Sequence, residues 1–311
     1  MENNKNNIEY KYLSHLYPNG KGQDYELVKQ IEKQILIKRN YSIDNVAGLD
    51  DIKHYFNEEV IQPLINQENQ KNKKINDILL YGGPGTGKTF LVLSCGNHEK
   101  IKFFNFHPSN FVPELKKECE KVIKIIFDMA KFYSPSILFI DEIDLLYTLT
   151  IWEKENEEEK FKSELLKQSE NINSNQHKNI IVIGATNRPW KLDDKIIKKL
   201  EKKIYVRLLN EKERKNLFEL FLKDIKIVDN VNSHELAKLT DGYTNADIYN
   251  ICQDAQYEPI RKKLKKGEKL SNEIDLEVKM EDIIEAIKNQ NKTMRHEDFD
   301  KFEKFKNKFG G

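Results

Sequence analysis

The sequence predicts an α/β fold, a three-layer parallel sheet domain followed by a small all-helical domain, and three observations carry that prediction. Short, unalternating, β-branched runs at 78–81, 137–140 and 180–183 suit strands covered on both faces. Between the first two, Leu115, Cys119, Val122, Ile126 and Met129 or Ala130 trace a helical stripe, and strands that alternate with helices read as a parallel sheet with crossover connections. After about residue 209 no further strand run occurs, while 210–223, 233–239, 244–264 and 280–289 keep helical spacing.

Taken in order, residues 1–22 are polar, rich in asparagine and broken by Pro18, Gly20 and Gly22, which predicts a loose leader. Leu27, Ile31 and Ile35 then fall at four-residue spacing, the mark of one amphipathic helix over 23–39. The expected organisation is a leader and linker helix over 1–40, the sheet domain over 41–208, and the helical domain with a closing C-terminal helix over 209–311. Thr244 and Asp247 have the spacing of a capping box. The charged stretch 153–160 reads as an exposed loop or a solvated helix face.

Composition narrows the function. Of the 311 residues 33% are charged, and no apolar run approaches the roughly 20 residues of a spanning helix, so no membrane insertion is expected. A net charge of +1 supplies no general field for nucleic acid or an anionic surface. The first residues carry neither an apolar signal nor an Arg-rich transit pattern, so the expected location is the cytoplasm or the nucleus, with the cytoplasm taken first. Cys95, Cys119 and Cys252 form no C-x-x-C pair and the seven histidines form no ligand cluster, which speaks against disulfides and a protein-ligated metal. The basic residues are lopsided, with six arginines against 46 lysines.

The chemistry sits in three motifs. Gly82, Gly83, Pro84, Gly85, Thr86, Gly87, Lys88 and Thr89 match G-x-x-x-x-G-K-[ST] between an apolar strand and a helix that takes in Phe90. Glycines there let successive backbone N–H groups face a phosphate, the helix N-terminus adds positive potential, and Lys88 reaches the β- and γ-phosphates. Thr89 would give its hydroxyl to Mg²⁺. In SILFIDEID at 136–144, Asp141 and Glu142 follow a buried strand, where ligands of open α/β sheets collect. Asp141 would hold Mg²⁺ and Glu142 would activate water; two acids after a strand are also a common helix cap. Asn187 in GATNRP could reach the γ-phosphate, and Asn-Arg-Pro is equally a turn sequence. The expected ligands are therefore ATP and Mg²⁺.

These motifs, in this order and spacing, resemble the AAA ATPases, and the helical domain resembles their lid. Within that family DMAKFYSPSILFIDEID, ATNRPWKLDD, LEKKIY and DGYTNADIYNICQDA are most similar to the katanin group of microtubule-severing ATPases. The resemblance implies ATP hydrolysis in a ring, as a hexamer of this chain or with a related subunit. It also implies work on a polypeptide, with tubulin or microtubules as one candidate and the cytoskeleton as a place of action. It places Val46, Ala47 and Gly48 at the adenine and Ala246 on the nucleotide from the lid; Ala47-Gly48 is alternatively a turn entering a helix.

The departures from the family are specific. Its members reach the neighbouring subunit's γ-phosphate with paired arginines where this chain has Lys198 and Lys199, and neither Arg188 nor Arg207 stands at those positions. An ammonium lacks the rigid donor fork of a guanidinium; both lysines are alternatively solvated helix-end charges. The substrate-gripping aromatic of the first pore loop aligns with Leu115 in Glu114-Leu115-Lys116-Lys117, which is alternatively a core residue of a helix beginning at Pro113. The second pore loop aligns with 153–160, where Glu157, Glu158 and Glu159 would repel acidic tubulin tails. Gly83 replaces a proline, Asn245 replaces a lid glycine and tolerates the same left-handed backbone, and Pro259 interrupts an expected lid helix at about 3 kcal/mol. The alternative function is a degenerate subunit that binds ATP, turns it over slowly and acts as a regulatory module.

Overall fold

A computed structural model describes residues 11–36, 41–66, 75–148, 155–174, 179–228, 231–265 and 277–310. Five strands form one parallel sheet: β1 (Ile78–Tyr81), β2 (Lys102–Phe106), β3 (Ser136–Ile140), β4 (Ile180–Thr186) and β5 (Lys202–Tyr205), in the order β2-β3-β4-β1-β5. Every residue of β1, β3 and β4 is buried, as their unbroken apolar runs require of strands covered on both faces. Alternate residues feed two cores. Leu79, Leu138, Ile140 and Val182 meet the long helix Val112–Phe132 on one face. Ile78, Leu80, Phe139 and Ile183 meet the helix Lys88–Cys95 and the lid on the other.

Two of the five strands escape the apolar-run criterion. β2 reads KFFNF, with Lys102 exposed and Asn105 half-buried, and β5 reads KKIY with only Ile204 buried. Both are edge strands. Leu36 bridges Phe104 in antiparallel sense, so the chain after the linker helix Tyr25–Ile35 covers part of the β2 edge.

Of the predicted loose leader, residues 1–10 lie outside the described residues, and 11–16 are more ordered than their composition predicts. Residues 11–16 form a helix whose Tyr12 and Leu13 are buried. Their backbone N–H groups donate to the Glu32 carboxylate at 3.2 and 3.1 Å, and the Tyr133 hydroxyl donates to it as well. Three donors account for a fully buried carboxylate. Polar composition argues against a core of the segment's own, but not against docking on another element's charge.

Beyond β5 the helices Glu211–Leu222, Ser233–Leu239, Asn245–Ala255, Glu258–Lys265 and Met280–Asn289 form the lid. Thr244 and Asp247 make the expected capping box. The expected continuous helix over 244–264 is instead two: it ends at Ala255, and Pro259 falls in the first turn of the next, where its missing N–H costs nothing. The final helix, His296–Phe309, returns to the sheet domain and lays Phe302 and Phe305 against Tyr81. Among the described residues no helix is long and apolar enough to cross a membrane, and no group of three or more His, Cys, Asp or Glu could hold a metal ion.

Candidate nucleotide site

Register brings the three motifs together. Tyr81 stands opposite Thr186 and Ile140 opposite Gly184, so the segments leaving β1, β3 and β4 emerge at one carboxyl edge. Around them lies a cavity of ≈ 730 Å³ lined by Ala47, Pro84, Gly85, Thr86, Gly87, Lys88, Thr89, Phe90, Asp141, Glu142, Asn187 and Ala246. Of the predicted nucleotide residues, Gly48, Gly82 and Gly83 support the wall rather than line it. Lys198 and Lys199 line neither this cavity nor the one beside it.

The glycine-rich loop works through backbone shape. Gly85 and Gly87 have φ of 75° and 92°, left-handed conformations that glycine takes without strain, and Gly87 opens the helix Lys88–Cys95. Lys88 is only 7% exposed. Its ammonium donates to the carbonyls of Gly82 (2.9 Å) and Gly83 (2.8 Å) and to Asn187 Oδ1 (2.6 Å). Burial pulls its pKa down to about 8, against the opposing pull of Asp141, Asp144 and Glu142. A buried cation held by neutral oxygens at a helix N-terminus is a fitting seat for phosphate.

The acidic side is equally ordered. Thr89 Oγ1 donates to Asp141 Oδ2 at 2.7 Å, pairing the hydroxyl and carboxylate suited to a hard divalent cation. The Glu142 N–H donates to the other Asp141 oxygen at 3.0 Å. Glu142 itself has φ of 48°, an uncommon value for a non-glycine residue and one concentrated at functional sites. Its Oε2 stands 3.3 Å from His107 Nε2, and the His107 Nδ1 is 2.8 Å from Ser109 Oγ. On the third segment Thr186 Oγ1 donates to buried Asp144 (2.7 Å) and accepts the Arg188 N–H (2.9 Å), which fixes the backbone that carries Asn187.

At the opposite end, Val46, Ala47, Leu217, Leu220 and Tyr249 form an apolar and aromatic wall. Gly48 and Leu49 turn through left-handed conformations of 64° and 55°. The Leu49 N–H donates to Glu213 Oε1 at 3.2 Å, and Arg207 holds the same carboxylate at 2.7 and 2.9 Å. Burial raises the Glu213 pKa, but the Arg207 guanidinium and the N–H donors outweigh it and hold the group below its usual value. Ala47-Gly48 is thus both a turn and part of the cavity's support.

The lid touches the loop directly. The Ala246 N–H donates to Gly85 O (3.1 Å), and Asn245 Nδ2 donates to Thr86 O (3.1 Å). Asn245 is the first residue of its helix and contributes its side chain, while the positive φ before that helix lies at Gly242. Gly83 is explained by packing, because a Cβ there would meet Met294 Sδ at 2.2 Å.

The lysine pair divides. Lys198 is exposed in the last turn of the helix Asp194–Lys199. Lys199 is 15% exposed and lies 3.5 Å from the buried carboxylate of Asp77. Leu115 is 1% exposed within the helix Val112–Phe132, so the residue aligned with the pore aromatic belongs to the core. Part of the second pore stretch lies outside the described residues; Glu159 and Lys160 are exposed on the helix Glu155–Ser174. Sequence reasoning missed His107, Ser109, Met294 and the Arg207–Glu213 pair. His107 follows β2, an edge strand without an unbroken apolar run, and Met294 has no local signature.

A glycine-rich loop between strand and helix, a buried lysine, a Thr–Asp pair and a helical lid define a P-loop nucleoside triphosphatase. More narrowly, the chain belongs to the AAA ATPases: residues 78–208 match the ATPase family associated with various cellular activities, 230–285 the AAA+ lid domain, and 262–310 the Vps4 C terminal oligomerisation domain. The katanin p60 A-like 1 proteins of Rattus norvegicus and Danio rerio are each 33% identical to it, over 94% of this chain and 63% of the relative. The chain thus spans less than two thirds of these relatives. The FIGL-1 AAA domain superposes with a TM-score of 0.83 at 29% identity, covering 94% of this chain and 98% of that one. A structure described as the basis for katanin self-assembly gives 0.73 at 26%, covering 92% and 96%.

Proposed function

We propose that the chain binds ATP with Mg²⁺ in this cavity and hydrolyses it within a self-assembled ring that remodels a polypeptide. The observation that carries the reading is the buried Lys88 ammonium beside the Thr89–Asp141 pair, at a helix N-terminus and within a cavity of ≈ 730 Å³. Lys88 exchanges its carbonyl partners for phosphate oxygens, and Asn187, already bonded to Lys88, stays within reach of the γ-phosphate. Thr89 and Asp141 hold Mg²⁺, which neutralises charge on the phosphate oxygens when bound. Glu142, whose φ is 48°, accepts the proton of the attacking water. The apolar wall at Val46 and Tyr249 receives the adenine, and Ala246 closes on the loop from the lid.

The oligomerisation match over 262–310 supports assembly of this chain with itself. The katanin relatives make microtubules the first substrate to test and the cytoskeleton the first place to look. The core position of Leu115 means that any grip on a polypeptide differs from an exposed aromatic. A second reading, a slow regulatory subunit in mixed rings, is favoured by the commitment of Lys199 to Asp77. ATP turnover of the purified chain and of E142Q, with ATP binding followed in parallel, tests the proposal. The expected result is turnover lowered at least about 100-fold in E142Q with binding retained; equal rates would sink the hydrolase reading.

A further inference from the structure

We infer that Arg188 is a catalytic residue acting within its own subunit, placing a guanidinium on the γ-phosphoryl group where the chain offers only lysines from a neighbour. The inference rests on the hydrolase reading above. It starts from a second cavity of ≈ 510 Å³ that shares Pro84, Glu142 and Asn187 with the nucleotide cavity and continues past them to Arg188, Lys191 and Lys301. The two cavities therefore abut at the water-activating carboxylate and at the asparagine that holds Lys88, which is where the terminal phosphate belongs.

The cations in this second cavity are not equivalent. Lys301 is 3.8 Å from Asp298 and lies over the Trp190 ring. Lys191 brings a point charge without a fork of donors. The Arg188 guanidinium has no hydrogen bond or ion pair among the described residues. Its backbone is held, since the Arg188 N–H donates to Thr186 Oγ1, which donates in turn to buried Asp144. Elsewhere in the chain Arg207 is held by Glu213, Arg214 by Asp241 and Arg261 by Asp254. Among the described residues Arg188 is the one arginine that lines either cavity. A fixed backbone, an uncommitted fork of donors and a place beside Glu142 are what charge development on a transferred phosphoryl group requires.

The test compares wild type, R188A, R188K and K198A for ATP affinity, kcat and ring formation, each also mixed with E142Q. R188A should lower kcat about 10³-fold, the low end of what a finger guanidinium supplies, with ATP affinity and ring formation kept. R188K should recover little of the loss, because the charge returns without the fork. Mixing R188A with E142Q should restore nothing, since every site then lacks one of two groups that act from the same chain. Mixing K198A with E142Q should restore turnover, because there the missing group comes from the neighbour. Unchanged kcat in R188A, a loss carried wholly in ATP affinity, or recovery in its mixture with E142Q would each overturn the inference while leaving the hydrolase reading intact. Wild-type chain that binds ATP without turnover would overturn the hydrolase reading, and the inference with it.

Discussion

Asp77 shows how one residue reassigns another. It sits just before β1, almost wholly buried, accepts the Val182 N–H at 3.0 Å and faces Lys199 at 3.5 Å. Burial pushes its pKa from 3.8 up to about 6, although the Val182 N–H and the Lys199 ammonium pull the other way. Between those two values the folded chain holds a proton that the unfolded chain has released. The stability this group contributes is therefore complete below about pH 4 and lost as pH rises through about 6, on the order of 3 kcal/mol at most. Urea unfolding of wild type and of D77N should show it: the stability of wild type minus that of D77N falls between about pH 4 and about pH 6 and is level above that. A difference that stays flat would mean that Asp77 does not titrate in this window. Lys199 is on this view a partner of Asp77 first, and K199M should change stability more than it changes turnover of the folded ring.

Among the elements, the joint between lid and phosphate loop is built by residues far apart in the chain. The segment carrying Met294 is tied to the lid helix by Thr293, whose N–H and hydroxyl both donate to buried Asp247. Met294 then occupies the space that a Cβ on Gly83 would take. G83P should destabilise the chain by about 1–3 kcal/mol through overpacking, and M294A should relieve part of that cost. A double-mutant cycle by thermal unfolding measures the coupling, and strict additivity would show that the two positions do not share this space. The same joint marks what a linear reading reaches. The phosphate loop, Asp141, Glu142 and the three central strands declare themselves locally, because burial on both faces and phosphate binding each demand a contiguous run of residue types. The edge strands do not, since KKIY at β5 needs only Ile204 inside. Met294, His107 and the Asp77–Lys199 pair depend on which segments the fold brings together, and the left-handed turn before the lid helix falls at Gly242 while Asn245 opens the helix itself.

For the whole molecule, the active unit is expected to be larger than one chain. Lys198 is exposed at the end of its helix and lines neither cavity, so a nucleotide it reaches belongs to another copy. On the proposal made above, Arg188 and Glu142 would be supplied within the subunit, and assembly would add the Lys198 charge to the site. Specific ATPase activity should accordingly rise with protein concentration from a measurable floor to a plateau as rings form. K198A should lower the plateau and spare the floor. K198R should raise the plateau about tenfold or more, because a second guanidinium brings a donor fork where the lysine brings only charge. Turnover measured against concentration, with assembly followed by sedimentation in the same samples, separates these outcomes. A flat activity profile across the assembly transition, or a floor that falls in K198A as far as the plateau does, would refute a site completed by its neighbour.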